Sequence, residues 1–288
     1  MSRGEREIAG QRVLITGAAR GIGARLARRL HERGARVALL GLEPDLLQAV
    51  ASQCGGAPWY ECDVARRERV DESVADAVNR LGGLDVAVAN AGIGAQLTLI
   101  DGDPAVWDAT LAVNLMGSYN LVRAAGPHVA HPGGYFLVTA SLAAAIHLPL
   151  MSAYCASKAA VESLGDSLRI ELRPSGARVG VAYYSELDTD MTSRGFATEA
   201  AARTPLGNRR LPVSPVEPAI DALERAIRRR SRRIVSPGWV GFVLPIRMLA
   251  QRMVELQVRR GLGRTLEIAR GERAPLTTPQ PEGDEQLR

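Results

Sequence analysis

Lysine is almost missing from this chain of 288 residues: Lys158 stands alone, and every other member of its 36 lysines and arginines is arginine. A lysine kept at one position implies a task that a compact ammonium performs and a forked guanidinium does not. Cysteine is scarce as well. Cys54, Cys62 and Cys155 are too few and too irregularly spaced for a disulfide framework, and none belongs to a CxxC pair, so no metal site is expected and a reducing compartment is. Aromatic residues make up 4%, and the stacking signatures of RNA-binding modules are missing with them. The net charge of +5 is scattered until a basic cluster at 228–233, so nucleic acid is not an expected partner. No stretch offers about 18 consecutive apolar residues for a bilayer span, and the charged residues 1–7 lack the apolar core of a signal peptide. These absences predict a cytoplasmic protein.

What is present is a 46% hydrophobic chain, long enough to bury a full core as one domain with extensions. Short apolar runs at 12–16, 37–40, 59–60, 84–89, 135–139, 179–183 and 233–235 read as strands. Helical patterns lie between them, over 22–33, from Pro44 onward, and over 66–81, 104–125, 152–172 and 216–229. This alternation predicts a doubly wound α/β fold, a seven-stranded parallel sheet with helices on both faces. The expected organisation is an N-terminal arm (1–8), a single catalytic domain (9–237), a helical extension (238–272) and a disordered tail (273–288). Within the domain, 190–214 is rich in glycine and proline and reads as a substrate lid.

The first strand runs into Thr16-Gly17-Ala18-Ala19-Arg20-Gly21-Ile22-Gly23 just as the first helix begins. Glycines at such a junction let a pyrophosphate approach the backbone, where the free N–H groups and dipole of the helix meet its charge. The spacing, Gly-x3-Gly-x-Gly, departs from the better-known Gly-x-Gly-x2-Gly, and an incidental turn is the plainer alternative. Tyr154 and Lys158 stand at i and i+4, on one face of a helix. A free phenol titrates at roughly 10, and a neighbouring cation lowers that value. Ser141 lies at the carboxyl end of the fifth strand, where ligands bind in open α/β sheets. A surface Tyr–Lys pair and a turn serine are the bland readings of these three.

In order along the chain, the 16–23 turn, Asp63 after the third strand, Asn90-Ala91-Gly92 after the fourth, Asn114 within a helix, Ser141, Tyr154 and Lys158 make residues 9–190 resemble the short, single-domain branch of the short-chain dehydrogenase/reductase family. The resemblance implies a Rossmann-type NAD(P)-dependent oxidoreductase that interconverts an alcohol and a carbonyl. Tyr154 would exchange the proton with the substrate oxygen, and Ser141 would hydrogen-bond the same oxygen. Lys158 would lower the tyrosine pKa and hold the nicotinamide ribose, while Asn114 would hold a water linking Lys158 to solvent. Gly17, Arg20, Gly21, Ile22, Gly23 and Gly41 would line the cofactor cleft with Asn90, Ala91 and Gly92. Asp63 and Val64 would meet the adenine, and Thr189 the carboxamide. The chain departs from the family where Tyr184-Ser185-Glu186 replaces the usual Pro-Gly before that threonine.

Glycine at position 41 leaves no acid to repel a 2′-phosphate, and Arg20 could contact one, which favours NADP(H) over NAD(H); Leu42 and Glu43 argue the other way. Leu142, Ala143, Leu148, Met151, Met191 and Phe196 predict a pocket for a hydrophobic alcohol or ketone, with His147 exposed beside it and Cys155 a packing residue. The resemblance implies a homodimer or homotetramer. The basic amphipathic stretch 239–260 is expected to pack on the pocket or a partner subunit rather than on a membrane. The alternatives are a related enzyme using the cleft for dehydration or epimerisation, and a cofactor-binding regulator or scaffold without turnover.

Overall fold

A computed structural model describes residues 5–189, 191, 196, 198–204, 213–272, 276–278 and 280. Among them seven parallel strands form one sheet in the order β3-β2-β1-β4-β5-β6-β7. The strands are β1 (Arg12–Thr16), β2 (Arg36–Gly41), β3 (Trp59–Glu61), β4 (Val86–Ala89), β5 (Tyr135–Thr139), β6 (Arg178–Tyr184) and β7 (Arg233–Ser236). The order reverses between β1 and β4, and such a switch point opens a crevice at the carboxyl ends of the strands.

Successive side chains alternate between two buried layers, as a strand's period of two requires. Leu14, Ala38, Ala87, Phe136 and Val179 face a layer closed by α3 (Arg67–Leu81), α5 (Gly117–Val129) and α6 (Ser152–Glu171). Val13, Val37, Val86, Leu137 and Ala182 face the other layer, closed by α1 (Gly21–Glu32), α2 (Pro44–Gln53) and α8 (Glu217–Arg229). The doubly wound arrangement follows from strands that are apolar on both faces. Helix α6 approaches the sheet closely because Gly165 has no side chain: a Cβ there would stand 2.7 Å from Val138 and 2.8 Å from Val181. That approach sets the depth of Tyr154 and Lys158.

The expected continuous helix over 104–125 is interrupted. It consists of α4 (Pro104–Leu111), a π-helical turn (Ala112–Met116) and α5. Of the expected lid, residues 190, 192–195, 197 and 205–212 lie outside the described residues; within the rest, α7 (Glu199–Ala202) is a short helix capped by Thr198, whose side chain accepts the Ala201 N–H. Beyond β7 come α9 (Val240–Val243), α10 (Arg247–Val258) and α11 (Leu262–Gly271). Val240 and Leu244 are buried against the first layer, while Phe242, Met248 and Leu249 point to solvent. No described helix is long and apolar enough to cross a membrane. Of the arm, residues 1–4 lie outside the described part, and Ile8 is buried in the second layer.

Candidate active site

The ends of β1 and β4 are tied together by Thr16 and Asn90. The Thr16 hydroxyl accepts the Asn90 and Ala91 N–H groups at 3.0 and 3.1 Å, and the Asn90 amide donates to the Thr16 and Gly17 carbonyls at 3.1 and 3.2 Å. This lattice fixes the glycine turn against the 90–92 loop. Gly17 has φ +64°, and a Cβ on it would come 2.8 Å from the Ala91 backbone; at Gly23 a Cβ would come 2.2 Å from the Gly17 carbonyl. Only glycine fits either position. No described side chain caps the first turn of α1, so its N–H groups remain available to an anion.

The turn forms one end of a cavity of about 650 Å³ that runs past Asp63, Val64, Asn90, Ala91 and Gly92 to Ser141, Tyr154, Lys158 and Thr189. Arg20, Gly21, Ile22 and Gly41 also line it. Gly23 and Asn114, grouped with these by the sequence, stand behind the wall rather than on it. Asn114 is fully buried in the π-helical turn. Its side-chain oxygen accepts the Ile93 N–H at 2.8 Å, and its amide donates to the Ile93 carbonyl and the Ser157 hydroxyl at 2.9 Å each. The Asn114 backbone carbonyl accepts the Ser118 hydroxyl at 2.7 Å. Asn114 thus braces the loop after β4.

Ser141 begins the turn after β5, accepting the Ala143 N–H at 3.1 Å and donating to the Tyr184 carbonyl at 3.3 Å. Burial pushes the Tyr154 phenol up to about 12, and the Ser141 hydroxyl beside it pulls the other way. Lys158 lies 5.6 Å from the centre of the Tyr154 ring and donates to the Thr139 carbonyl at 2.8 Å. Burial lowers its ammonium from the ordinary 10.5 to about 8. Enclosure therefore governs both groups, whereas spacing alone suggested that the lysine would govern the tyrosine.

Leu142, Ala143, Leu148, Met151, Met191 and Phe196 all line the cavity on the Tyr154 side. The Phe196 ring meets the Tyr154 ring edge-on, with centroids 5.3 Å apart. His147 is exposed, its N–H donating to Gln251, and Cys155 is buried. Where Pro-Gly is replaced, the backbone leaving β6 pairs with Ser214: the Asp188 N–H donates to the Ser214 carbonyl and the Ser214 N–H to the Glu186 carbonyl, each at 2.9 Å. This pairing carries Thr189 to the cavity wall, and its hydroxyl donates to the Leu187 carbonyl at 3.5 Å. At the opposite end, Arg20 forms an ion pair with Glu43 at 3.1 Å.

The sequence reading missed Thr277, Thr278 and Gln280, which also line the cavity. They fall in the expected disordered tail, of which 273–275, 279 and 281–288 lie outside the described residues. Nothing in their composition signals contact with a cleft formed by residues so far away in the chain.

A family model described as short chain dehydrogenase matches residues 11–200. D-threitol dehydrogenase of Mycolicibacterium smegmatis is 38% identical over 181 residues, 59% of this chain and 67% of that protein. An Arabidopsis thaliana protein named 11-beta-hydroxysteroid dehydrogenase-like 6 is 30% identical over 266 residues, 88% of this chain and 77% of its own. The crystal structure of a short-chain dehydrogenase/reductase from Burkholderia phymatum in complex with NAD superposes with a TM-score of 0.74 at 23% identity, covering 87% of this chain and 96% of that one, and shares the fold.

Proposed function

The chain belongs to the short-chain dehydrogenase/reductase family, and from that premise we propose that it interconverts an alcohol and a carbonyl on a hydrophobic small molecule, with Tyr154 exchanging the proton. It is an NAD(P)-dependent oxidoreductase. The observation that carries the finer reading is one continuous cavity, with a glycine turn fit for a pyrophosphate at one end and the buried Tyr154 phenol beside Ser141 at the other. A nicotinamide cofactor, held by the glycine turn and by Tyr154 and Lys158, would supply or accept the hydride.

The residues divide the remaining work. The Tyr154 phenol is protonated at neutral pH as an ordinary phenol is, and burial raises its pKa further, so it is stocked to donate to a carbonyl oxygen. Ser141 steadies the same oxygen and favours the ionised phenol after the proton has left. Lys158 brings positive charge to that end of the cavity, and its fall to about 8 leaves it largely charged at pH 7. The relatives' names refer to threitol and to an 11-beta-hydroxysteroid. The apolar wall of Leu142, Met151 and Phe196 supports the second kind of substrate over a polyol. Tyr154→Phe removes the ionisable oxygen and keeps the ring. Its turnover on a panel of alcohols and ketones should fall by a factor on the order of 10²–10⁴, with cofactor affinity nearly unchanged. Wild-type turnover in this variant would end the assignment.

For the cofactor, the reading is NADP(H). Gly41 brings no carboxylate to the cavity, and the Arg20 guanidinium, paired with Glu43 and bonded to the Thr278 hydroxyl, lies in the wall where a 2′-phosphate would compete for it. Titration of both cofactors should show that Arg20→Ala weakens NADP(H) alone and that Glu43→Gln strengthens it. Tighter binding of NAD(H) by the wild-type chain would reverse the choice.

A further inference from the structure

Among the described C-terminal residues, Thr277, Thr278 and Gln280 line the cavity. The Thr277 N–H donates to the Gly94 carbonyl and the Gly94 N–H donates back to the Thr277 hydroxyl, both at 3.1 Å, and Thr277 is 2% exposed. Gly94 marks the substrate end, because a Cβ on it would lie 2.8 Å from Phe196 and 3.1 Å from Tyr154. The next residue reaches the other end: the Thr278 hydroxyl accepts a hydrogen bond from Arg20 at 2.7 Å. The Gln280 amide donates to the Thr278 carbonyl at 2.9 Å. Leu276 packs on the first core layer. Just before this segment, the Glu272 carboxylate accepts the Glu199 and Ala200 N–H groups at 2.7 and 3.1 Å, holding the start of α7, whose Ala201 and Ala202 line the same cavity.

We infer that residues 276–278, anchored by Thr277 on Gly94 and by Thr278 on Arg20, form a strap that closes over bound cofactor, so that cofactor leaves only after the strap is released. The inference rests on the cofactor reading above. Two features support closure over plugging. A cavity of about 650 Å³ remains with the strap in place, a size suited to a small-molecule site. Thr277 bonds Gly94, Glu272 bonds the N-terminus of α7 and Thr278 accepts from the Arg20 side chain, so none of the three occupies the backbone N–H groups of the glycine turn that fits the pyrophosphate. The strap then joins Gly94 at the substrate end to the arginine at the adenosine end.

The test is the rate at which reduced cofactor leaves the protein, read by nicotinamide fluorescence after mixing with an excess of the oxidised form. Three chains are compared: wild type, a chain ended after Glu272, and Thr277→Val, which keeps the side-chain shape and removes the hydroxyl. Dissociation should be roughly tenfold faster in the shortened chain and several-fold faster in Thr277→Val, as loss of buried hydrogen bonds implies, with Thr277→Ser close to wild type. Unchanged dissociation in both variants overturns the strap. So does a faster association with unchanged dissociation, since the segment would then be a plug that bound cofactor has already displaced. If the shortened chain does not fold, Thr277→Val decides. If no chain binds either cofactor, the cofactor reading fails and the strap falls with it, whereas cofactor binding with unchanged release overturns the strap alone.

Discussion

Lys158 carries a charge in a place where a charge is costly. Its pKa in the folded chain lies below the unfolded value, so between about 8 and 10.5 the unfolded chain binds more protons and stability rises with pH. Below that window the cost is present in full, roughly 3 kcal/mol for the drop from 10.5 to about 8. Tyr154 has the opposite sign. Its folded pKa lies above the ordinary 10, at about 12, and stability falls with pH between those values. Lys158→Met should therefore abolish turnover yet raise the melting temperature at pH 7, by about 2–4 °C for each kcal/mol recovered. The gain is reduced by the lost hydrogen bond to Thr139 and shrinks toward pH 10. Thermal melts across pH 7–10 check this, and a lower midpoint at pH 7 would show that the ammonium stabilises the fold. The identity of this residue was legible, because a chain that uses arginine everywhere else keeps one lysine four residues after a tyrosine. Its energetics were not, because enclosure is a property of the packed layers and not of spacing.

At the scale of elements, periodicity served well where packing is regular and failed where a tertiary contact overrides it. The strands are apolar on both faces, and their positions agree with the sequence reading to within two residues. The stretch 104–125 also has helical periodicity, yet the chain widens into a π-helical turn at Ala112–Met116. No residue type marks such a turn, which adds one residue to the hydrogen-bonded loop and tends to occur at functional sites. What holds it here is non-local: Asn114 bonds both backbone groups of Ile93 and the Ser157 hydroxyl on α6. A polar residue of poor helix propensity was visible at 114, but its partners were not, since they come from a different loop and a different helix. The tail shows the same limit. Thr277 and Thr278 lie in a proline-rich, polar stretch, and their order comes from Gly94 and Arg20, brought near by the wound sheet.

For the molecule as a whole, the parallel sheet accounts for the domain, and the attachment of the C-terminal helices needs a separate cause. Their outward face keeps Phe242, Met248 and Leu249 exposed, while the inward face buries Val240 and Leu244. A polar clamp sits between them and α6. The Glu162 carboxylate accepts two bonds from the Arg247 guanidinium, at 2.8 and 2.9 Å, and one from the Tyr183 hydroxyl at 2.8 Å. The carboxylate raises the Arg247 pKa, and burial together with Glu162 raises that of Tyr183. A forked donor on a nearly buried carboxylate fixes direction as well as distance, so it sets the angle at which α10 leaves the domain. Arg247→Met keeps the packing volume and leaves Glu162 with Tyr183 alone. That should cost about 1.5–3 kcal/mol, the scale of hydrogen bonds to a charged group with one partner removed. Adding Glu162→Met removes the stranded carboxylate, so the double variant should recover much of the loss. Denaturant melts of the two single variants and the double variant measure the coupling. Because the Glu272 and Thr277 contacts follow this clamp along the chain, Arg247→Met should also speed cofactor release, and the double variant should not restore it. If Arg247→Met melts like wild type and releases cofactor at the same rate, the helices are held by their other contacts, Val240 and Leu244 among them, and the ion pair does not set their position.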